Sequence, residues 1–324
     1  MLDFTLRRLA ASLLLLFLVL TATFFLIHLA PGEPSRLFEN PRLSAEGRDE
    51  LRRLYGLDRP LGEQYLRFLA ATARGDWGIS LSQRRPALEV LIERLPATFL
   101  LVAAGVALEH LFGVLGGVVL ALRSGSVLDH VGRWLSQAVN AVPAFLLGIA
   151  LIDLLALRLG WFPVGQMRSE AAARWGPWAR LLDVLHHLAL PALTLAFARA
   201  GGVLRFVRNE LLSVLSQDYV RSARARGLGR TRVLWVHALP NALGPLIQRL
   251  GVSLPLLASG TLILEVVFSW PGLGLTTYRA ILQRDYPVVL AATALSAGLV
   301  VVGSLAADLA HAWLDPRLRT RRVG

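Results

Sequence analysis

The sequence predicts an all-α membrane protein with six transmembrane helices, and three observations carry that prediction. Of the 324 residues, 55% are hydrophobic and mean hydropathy is +0.54, above the roughly 45–50% apolar content of soluble domains. The excess collects in runs of about 20 residues, the length that crosses about 30 Å of hydrocarbon. The basic residues gather between alternate runs, as expected of loops that stay on one side of a bilayer.

The first run, Leu9–Leu29, follows Arg7 and Arg8 and resembles the start of a signal peptide. Its uncharged stretch exceeds the roughly 7–15 residues of a signal h-region and no A-x-A site precedes Pro31, so it reads as a retained first span, residues 1–30. Residues 31–95 form a long loop. Ser44–Tyr55 and Leu61–Ala73 show helical spacing, and Arg74-Gly75-Asp76-Trp77-Gly78 is a turn signal, so short surface helices are expected there. Residues 96–312 hold the remaining five spans: Ala97–Leu122, Trp134–Leu157, His187–Phe206, Ala242–Leu264 and Val288–Ala312. Residues 313–324 form a tail.

With the N-terminus inside, the cytoplasmic segments carry 15 arginines against five acids, and the external ones 17 against 14, mostly in the long first loop. Long loops weigh little in topology, so both termini are expected in the cytoplasm. The net charge of +12 therefore points to membrane topology and not to nucleic acid.

The composition also excludes chemistry. No cysteine is present, so disulfides and thiolate sites are ruled out. All 34 basic residues are arginine; without lysine the phosphate-binding loop GxxxxGK[ST] cannot form, and any ATP hydrolysis belongs to a partner. There is no HExxH or GxSxG. His186 and His187 are adjacent, so on a helix they diverge by about 100° and make a poor metal pair; they are expected at the edge of span four. No catalytic residue, metal or bound cofactor is expected.

The segment Asp218–Pro245, DYVRSARARGLGRTRVLWVHALPNALGP, is too charged for lipid and too regular for a linker. Its first part is built of helix formers. Gly227 stands where a left-handed C-terminal cap is expected, and Gly229 follows. A second helix, Val233–Leu239, leads through Pro240 and Pro245 into span five. The result is a helix–turn–helix bearing Arg221, Arg224, Arg226, Arg230 and Arg232. A short helix clear of the bilayer suits docking in a cleft of a partner; a plain basic loop that sets topology or touches anionic lipid fits the composition equally well.

At these residues the chain resembles the permeases of ATP-binding-cassette (ABC) importers, most closely the dipeptide/oligopeptide branch, which also includes nickel transporters. Asp218-Tyr219-Val220-Arg221, Ala223-Arg224-Ala225, Gly227-Leu228, His237-Ala238-Leu239 and Asn241-Ala242-Leu243 match that family's coupling (EAA) loop in order. Arg226 stands where lysine is usual and Pro240 where a basic residue is common. Further matches run through the chain: His28-Leu29-Ala30-Pro31-Gly32, Gly75-Asp76-Trp77-Gly78, Leu190-Pro191-Ala192-Leu193-Thr194, Phe268-Ser269-Trp270-Pro271-Gly272 and Leu314-Asp315-Pro316-Arg317.

The resemblance implies a type I importer permease fold, a periplasmic first loop and an ATPase-coupling loop over 216–241. The loop's site residues would be Asp218, Tyr219, Arg221, Ala223, Arg224, Arg226, Gly227, Leu228, His237 and Pro240. It further implies a second homologous permease, one or two cytoplasmic ATPase subunits that bind ATP and Mg, and an extracytoplasmic substrate-binding protein.

Two further groups stand out. In 265–287, Phe268, Trp270 and Tyr278 read as aromatic-belt residues, while Pro271, Gly272 and Gly274 break the helix. Glu265, Phe268, Trp270, Pro271 and Asp285 are candidates for the translocation path or its outer mouth, against simple interfacial anchoring. Glu109, Asp153, Arg199, Arg249 and Asp308 are ionisable residues inside spans, where charge is costly; Glu109 is expected to pair with Arg199 or Arg249. An intramembrane hydrolase and a membrane scaffold that recruits a cytoplasmic partner are the competing readings; the first lacks a convergent catalytic pair.

Overall fold

The computed structural model describes residues 2–29, 46, 49, 50, 53, 56–246 and 261–314, with side chains described from 9 onward within these ranges and up to 305. Among the described residues the regular structure is helical apart from one isolated bridge, Ile79–Pro86. They divide into two units: residues 1–98 with 271–305, and residues 99–270 with 306–324.

The first unit begins with α1, Leu2–Leu29, whose Leu9–Leu29 stretch is long and apolar enough to cross a membrane. Helix α2, Leu61–Ala73, has the bounds the periodicity predicts. It packs on α1 through rings: Phe24, 2% exposed, stacks on Phe68 with centroids 5.2 Å apart, and Thr21 Oγ1 lies 2.8 Å from the Tyr65 hydroxyl. Arg59 pairs with Glu63 on the outer face of α2 and holds that carboxyl below its usual range. The expected 74–78 turn forms, with Gly75 and Gly78 left-handed and the Gly78 N–H donating to Asp76 Oδ1 at 2.9 Å. After α3, Ala87–Ile92, helix α4, Leu95–Leu122, starts in this unit and continues into the second.

Two later helices complete the first unit: α11, Leu273–Leu282, and the start of α12, Tyr286–Leu314. Thr98 Oγ1 accepts the Leu273 N–H at 2.8 Å, satisfying one orphan donor at the α11 N-terminus. Ala87, Leu91, Leu273, Ala280, Val288, Ala291 and Ala292 form the core of this unit.

In the second unit α4 lies beside α7, Pro177–Leu215. The contacts keep one register: Gly105 faces Leu195, Glu109 pairs with Arg199, Gly113 faces Val203 and Gly117 faces Val207. Each step is four residues on both helices in the same direction, so the two run parallel with their i±4 ridges meshed. At Gly117 an added Cβ would come within 2.8 Å of the Leu204 carbonyl oxygen, so backbone contact excludes a side chain there. At 39 residues, α7 is about 58 Å long at 1.5 Å per residue. Predicted span four is only its middle, and His186 and His187 lie within the helix, not at its edge, with rings 6.3 Å apart.

Predicted span three is not one helix. Residues Val127–Ala141 form α5 and Ala144–Leu151 form α6, which continues as a π-helical turn over Ile152–Arg158; the two arms are bent by 101°. Pro143 is the cause. It lacks the N–H and drives Val142 to an extended ψ of 128°, so the helix ends there. Among the described residues, four helices are long and apolar enough to span a bilayer, or five if the bent pair is one span. Most of predicted span five, 247–260, lies outside the described residues.

Candidate functional site

Helix α7 ends at Ser216, and the chain turns through Gln217 into α8, Asp218–Ala225. Val220 and Ala223, three apart, are fully buried against Val207, Leu211 and Val214 of α7. The intervening Arg221, Arg224 and Arg226 are exposed. Apolar burial thus fixes the helix on one face and turns the guanidinium groups outward.

The turn is a Schellman motif. Gly227 has φ +80°, its N–H donates to the Arg224 carbonyl at 2.9 Å, and the Leu228 N–H reaches the Ala223 carbonyl at 3.4 Å. The predicted left-handed cap is therefore present. The chain then enters α9, Arg230–Arg232, followed by a π-helical turn at Val233–Ala238 and helix to 246. Pro240 has no N–H and crowds the carbonyl four residues back, which accounts for the widened turn before it. The His237 carbonyl instead accepts from Asn241 Nδ2 at 2.7 Å and from the Tyr219 hydroxyl at 3.4 Å. That second bond ties α8 to the returning arm. Val233, Leu234, Ala238, Leu239 and Ala242 bury into the same cluster as Val220, while Trp235 and Val236 stay exposed. The hairpin is a rigid part of the second unit, with an apolar inside and an arginine-bearing outside. Asn241 lies within the matched motif, and no local pattern signals its bond to the His237 carbonyl.

Other expected residues separate into distinct roles. Glu109, 6% exposed, accepts from Arg199 Nε at 3.2 Å, so of the two expected partners the described one is engaged. Arg249 and the Asp308 side chain lie outside the described residues. Asp153 is half exposed and pairs with Arg158 at 2.8 Å. A stronger clamp was not anticipated: Asp129, fully buried, takes Arg208 Nε at 2.6 Å and Nη2 at 2.7 Å, with the Gly125 N–H at 3.0 Å. It fixes the start of α5 to α7, ten residues before the hairpin.

Phe268 and Trp270 correct the aromatic-belt expectation. They are 1% and 0% exposed, as core side chains beyond α10, Leu262–Val267. The Phe268 carbonyl accepts the Gln166 N–H at 2.7 Å, and an added Cβ at Gly165 would lie 2.4 Å from that oxygen. Aromatic content beside a Pro–Gly break reads as interfacial, but the Phe268 ring packs at Gly148 and its backbone at Gly165, in the core. Tyr278 is exposed. Glu265 is fully buried, near Thr261 Oγ1 at 3.4 Å. Pro271 opens the chain segment into α11. Asp285, also fully buried, accepts from Ser80 Oγ at 2.6 Å, Ser82 Oγ at 2.7 Å, Ser82 N at 3.0 Å and Leu81 N at 3.1 Å.

The described residues combine several membrane-length helices with an internally capped basic hairpin, the architecture of a polytopic membrane protein. The comparisons agree. Residues 113–320 match the family described as binding-protein-dependent transport system inner membrane component, and residues 1–102 match the N-terminal region described for the same systems. The oligopeptide transport system permease protein AppB of Bacillus subtilis is 38% identical over 97% of this chain and 98% of its own length. The dipeptide transport system permease protein DppB of Escherichia coli is 33% identical over 99% of this chain and 100% of its own. A solved structure of the MetNI methionine ABC transporter in an inward-facing conformation superposes with a TM-score of 0.53 at 20% identity, covering 73% of this chain and 99% of that one, and shares the fold. The chain belongs to the family of binding-protein-dependent transport system inner membrane components, and it is an ABC importer permease subunit.

Proposed function

We propose that this permease carries peptides, as half of a translocation path completed by a second homologous permease in a bacterial inner membrane. The relatives named for oligopeptide and dipeptide transport support that substrate class. Six spans with both termini cytoplasmic fit the arginine distribution, with 31–95 periplasmic and 313–324 a cytoplasmic tail. Nickel or another small solute is the alternative cargo.

The hairpin 218–246 docks on a cytoplasmic ATPase. The observation that carries this reading is its construction: an inner stripe of Val220, Ala223, Val233 and Ala238 seals it to α7, and its outer face presents arginines. A motion imposed on such a rigid element passes to α7 instead of dissipating in a loop. One or two ATPase subunits holding ATP and Mg close and push the hairpins of the permease pair together. The pair then opens toward a docked extracytoplasmic binding protein.

Gly227→Val tests the loop. A β-branched residue at φ +80° is strained, so the expected result is an assembled complex whose ATP hydrolysis no longer drives uptake. Wild-type uptake per ATP would overturn the assignment. Topology is checked independently: the chain has no cysteine, so single cysteines at 224 and 83 report their sides by impermeant labelling.

A further inference from the structure

In the first unit a cavity of about 250 Å³ is lined by Arg94, Arg279, Gln83, Gln283, Thr276 and neighbours. Among the described residues, neither guanidinium makes a hydrogen bond or close ion pair, and neither glutamine amide has a side-chain partner. The nearby acids are engaged elsewhere. Glu89 and Glu93 are both taken by Arg85. Asp285, in the turn beside the cavity, receives four donors from Ser80, Leu81 and Ser82. These four bonds, three on Oδ2 and one on Oδ1, tie Asp285 to the 80–82 turn and not to Arg94 or Arg279.

The walls are also held in costly backbone. Gln83 precedes Arg84 at φ +55° and Gln283 precedes Arg284 at φ +53°. Two arginines in the left-handed region, one in each of two turns welded by Asp285, are strain that the surrounding bonds enforce. The Asp285 clamp joins residues more than 200 positions apart and places Gln83 opposite Gln283. The outcome is a preformed, positively charged recess with amide donors.

We infer that this recess binds a carboxylate, and that its occupant is an acidic side chain of the solute-binding protein docked on this permease. The inference rests on the proposed orientation, which puts the first loop and this recess on the outer side of the membrane. The volume favours a single side chain, since small-molecule pockets run to about 300–1,000 Å³. Planar guanidinium groups with neutral amides suit a carboxylate better than a softer or neutral group.

The test uses the whole transporter in lipid nanodiscs with its purified binding protein. Arg94→Gln with Arg279→Gln should weaken Kd by about tenfold or more and flatten its dependence on salt. Arg94→Lys with Arg279→Lys keeps the charge but loses the planar fork, and should cost clearly less affinity than the glutamine variant. An unchanged Kd in the glutamine variant overturns the inference, as does an equal loss in both variants, which would mean a packing role. A raised KM for peptide uptake with unchanged binding-protein affinity would assign the recess to the cargo's own carboxylate and also overturns it. Co-purification of ATPase subunits with these variants tests the permease assignment separately, so failure of docking and failure of that assignment give different results.

Discussion

Each unit holds one fully buried aspartate as a long-range clamp, and the two are neutralised in opposite ways. Asp129 is met by the charged fork of Arg208, with Arg133 at 3.3 Å as a second cation. Asp285 is met by two hydroxyls and two backbone N–H groups, with no cation among those four donors. A charge-paired clamp is brittle to loss of one partner, because the survivor is a buried ion. A clamp of neutral dipoles degrades bond by bond. Helix α7, which leads into the hairpin, carries the brittle kind, and the first unit carries the graded kind.

Arg208→Met should therefore be the most damaging change. Removing one partner of a buried pair costs about 3–5 kcal/mol, and the thermal midpoint of the purified protein should fall by many degrees. A midpoint near wild type would show that Arg133 suffices and erase the contrast. Asp285→Ala strands several donors at once, at about 1–3 kcal/mol for each that water cannot reach. Asp285→Asn keeps one acceptor and should recover a clear part of that loss; equal loss in the two would show that the clamp is also all-or-none.

Glu109→Gln should be mild, below about 1 kcal/mol, because Arg199 is one-third exposed and the glutamine amide oxygen can still accept from it. Uptake should remain nearly intact; a selective change in which peptides are taken up would instead place the pair in the path. The smallest effect belongs to Glu63. Its carboxyl is lowered by Arg59, so its contribution is present above the ordinary glutamate range and disappears as pH falls through the lowered value. Glu63→Gln should remove that slight acid-side slope from the stability profile and change little at neutral pH.

What could be read from the sequence follows the range of the forces involved. Helix α2 and the Gly227 cap depend on residues within a turn or two, and both appear where local periodicity and cap chemistry put them. Span three misled because hydropathy averages across Val142–Pro143, while one missing N–H decides whether the helix continues. Phe268 misled because its burial is set by a distant residue, Gly148, which makes room for the ring. The Glu109–Arg199 pairing was anticipated because two opposite charges in apolar spans have few ways to be satisfied. The aspartate clamps were not, since nothing near Asp285 in the chain signals Ser80 and nothing near Asp129 signals Arg208.

The meshing of α4 with α7 has a mechanical corollary. Their teeth repeat every four residues, so partial sliding would drive Leu195, Val203 or Val207 into the α4 backbone at its glycine notches. Only a jump of a whole tooth, about 6 Å at 1.5 Å per residue, would re-engage them, and it would strand Glu109 opposite an aliphatic residue. The two helices are thus geared at a fixed ratio of one to one, and a stroke delivered to the hairpin must move both or neither.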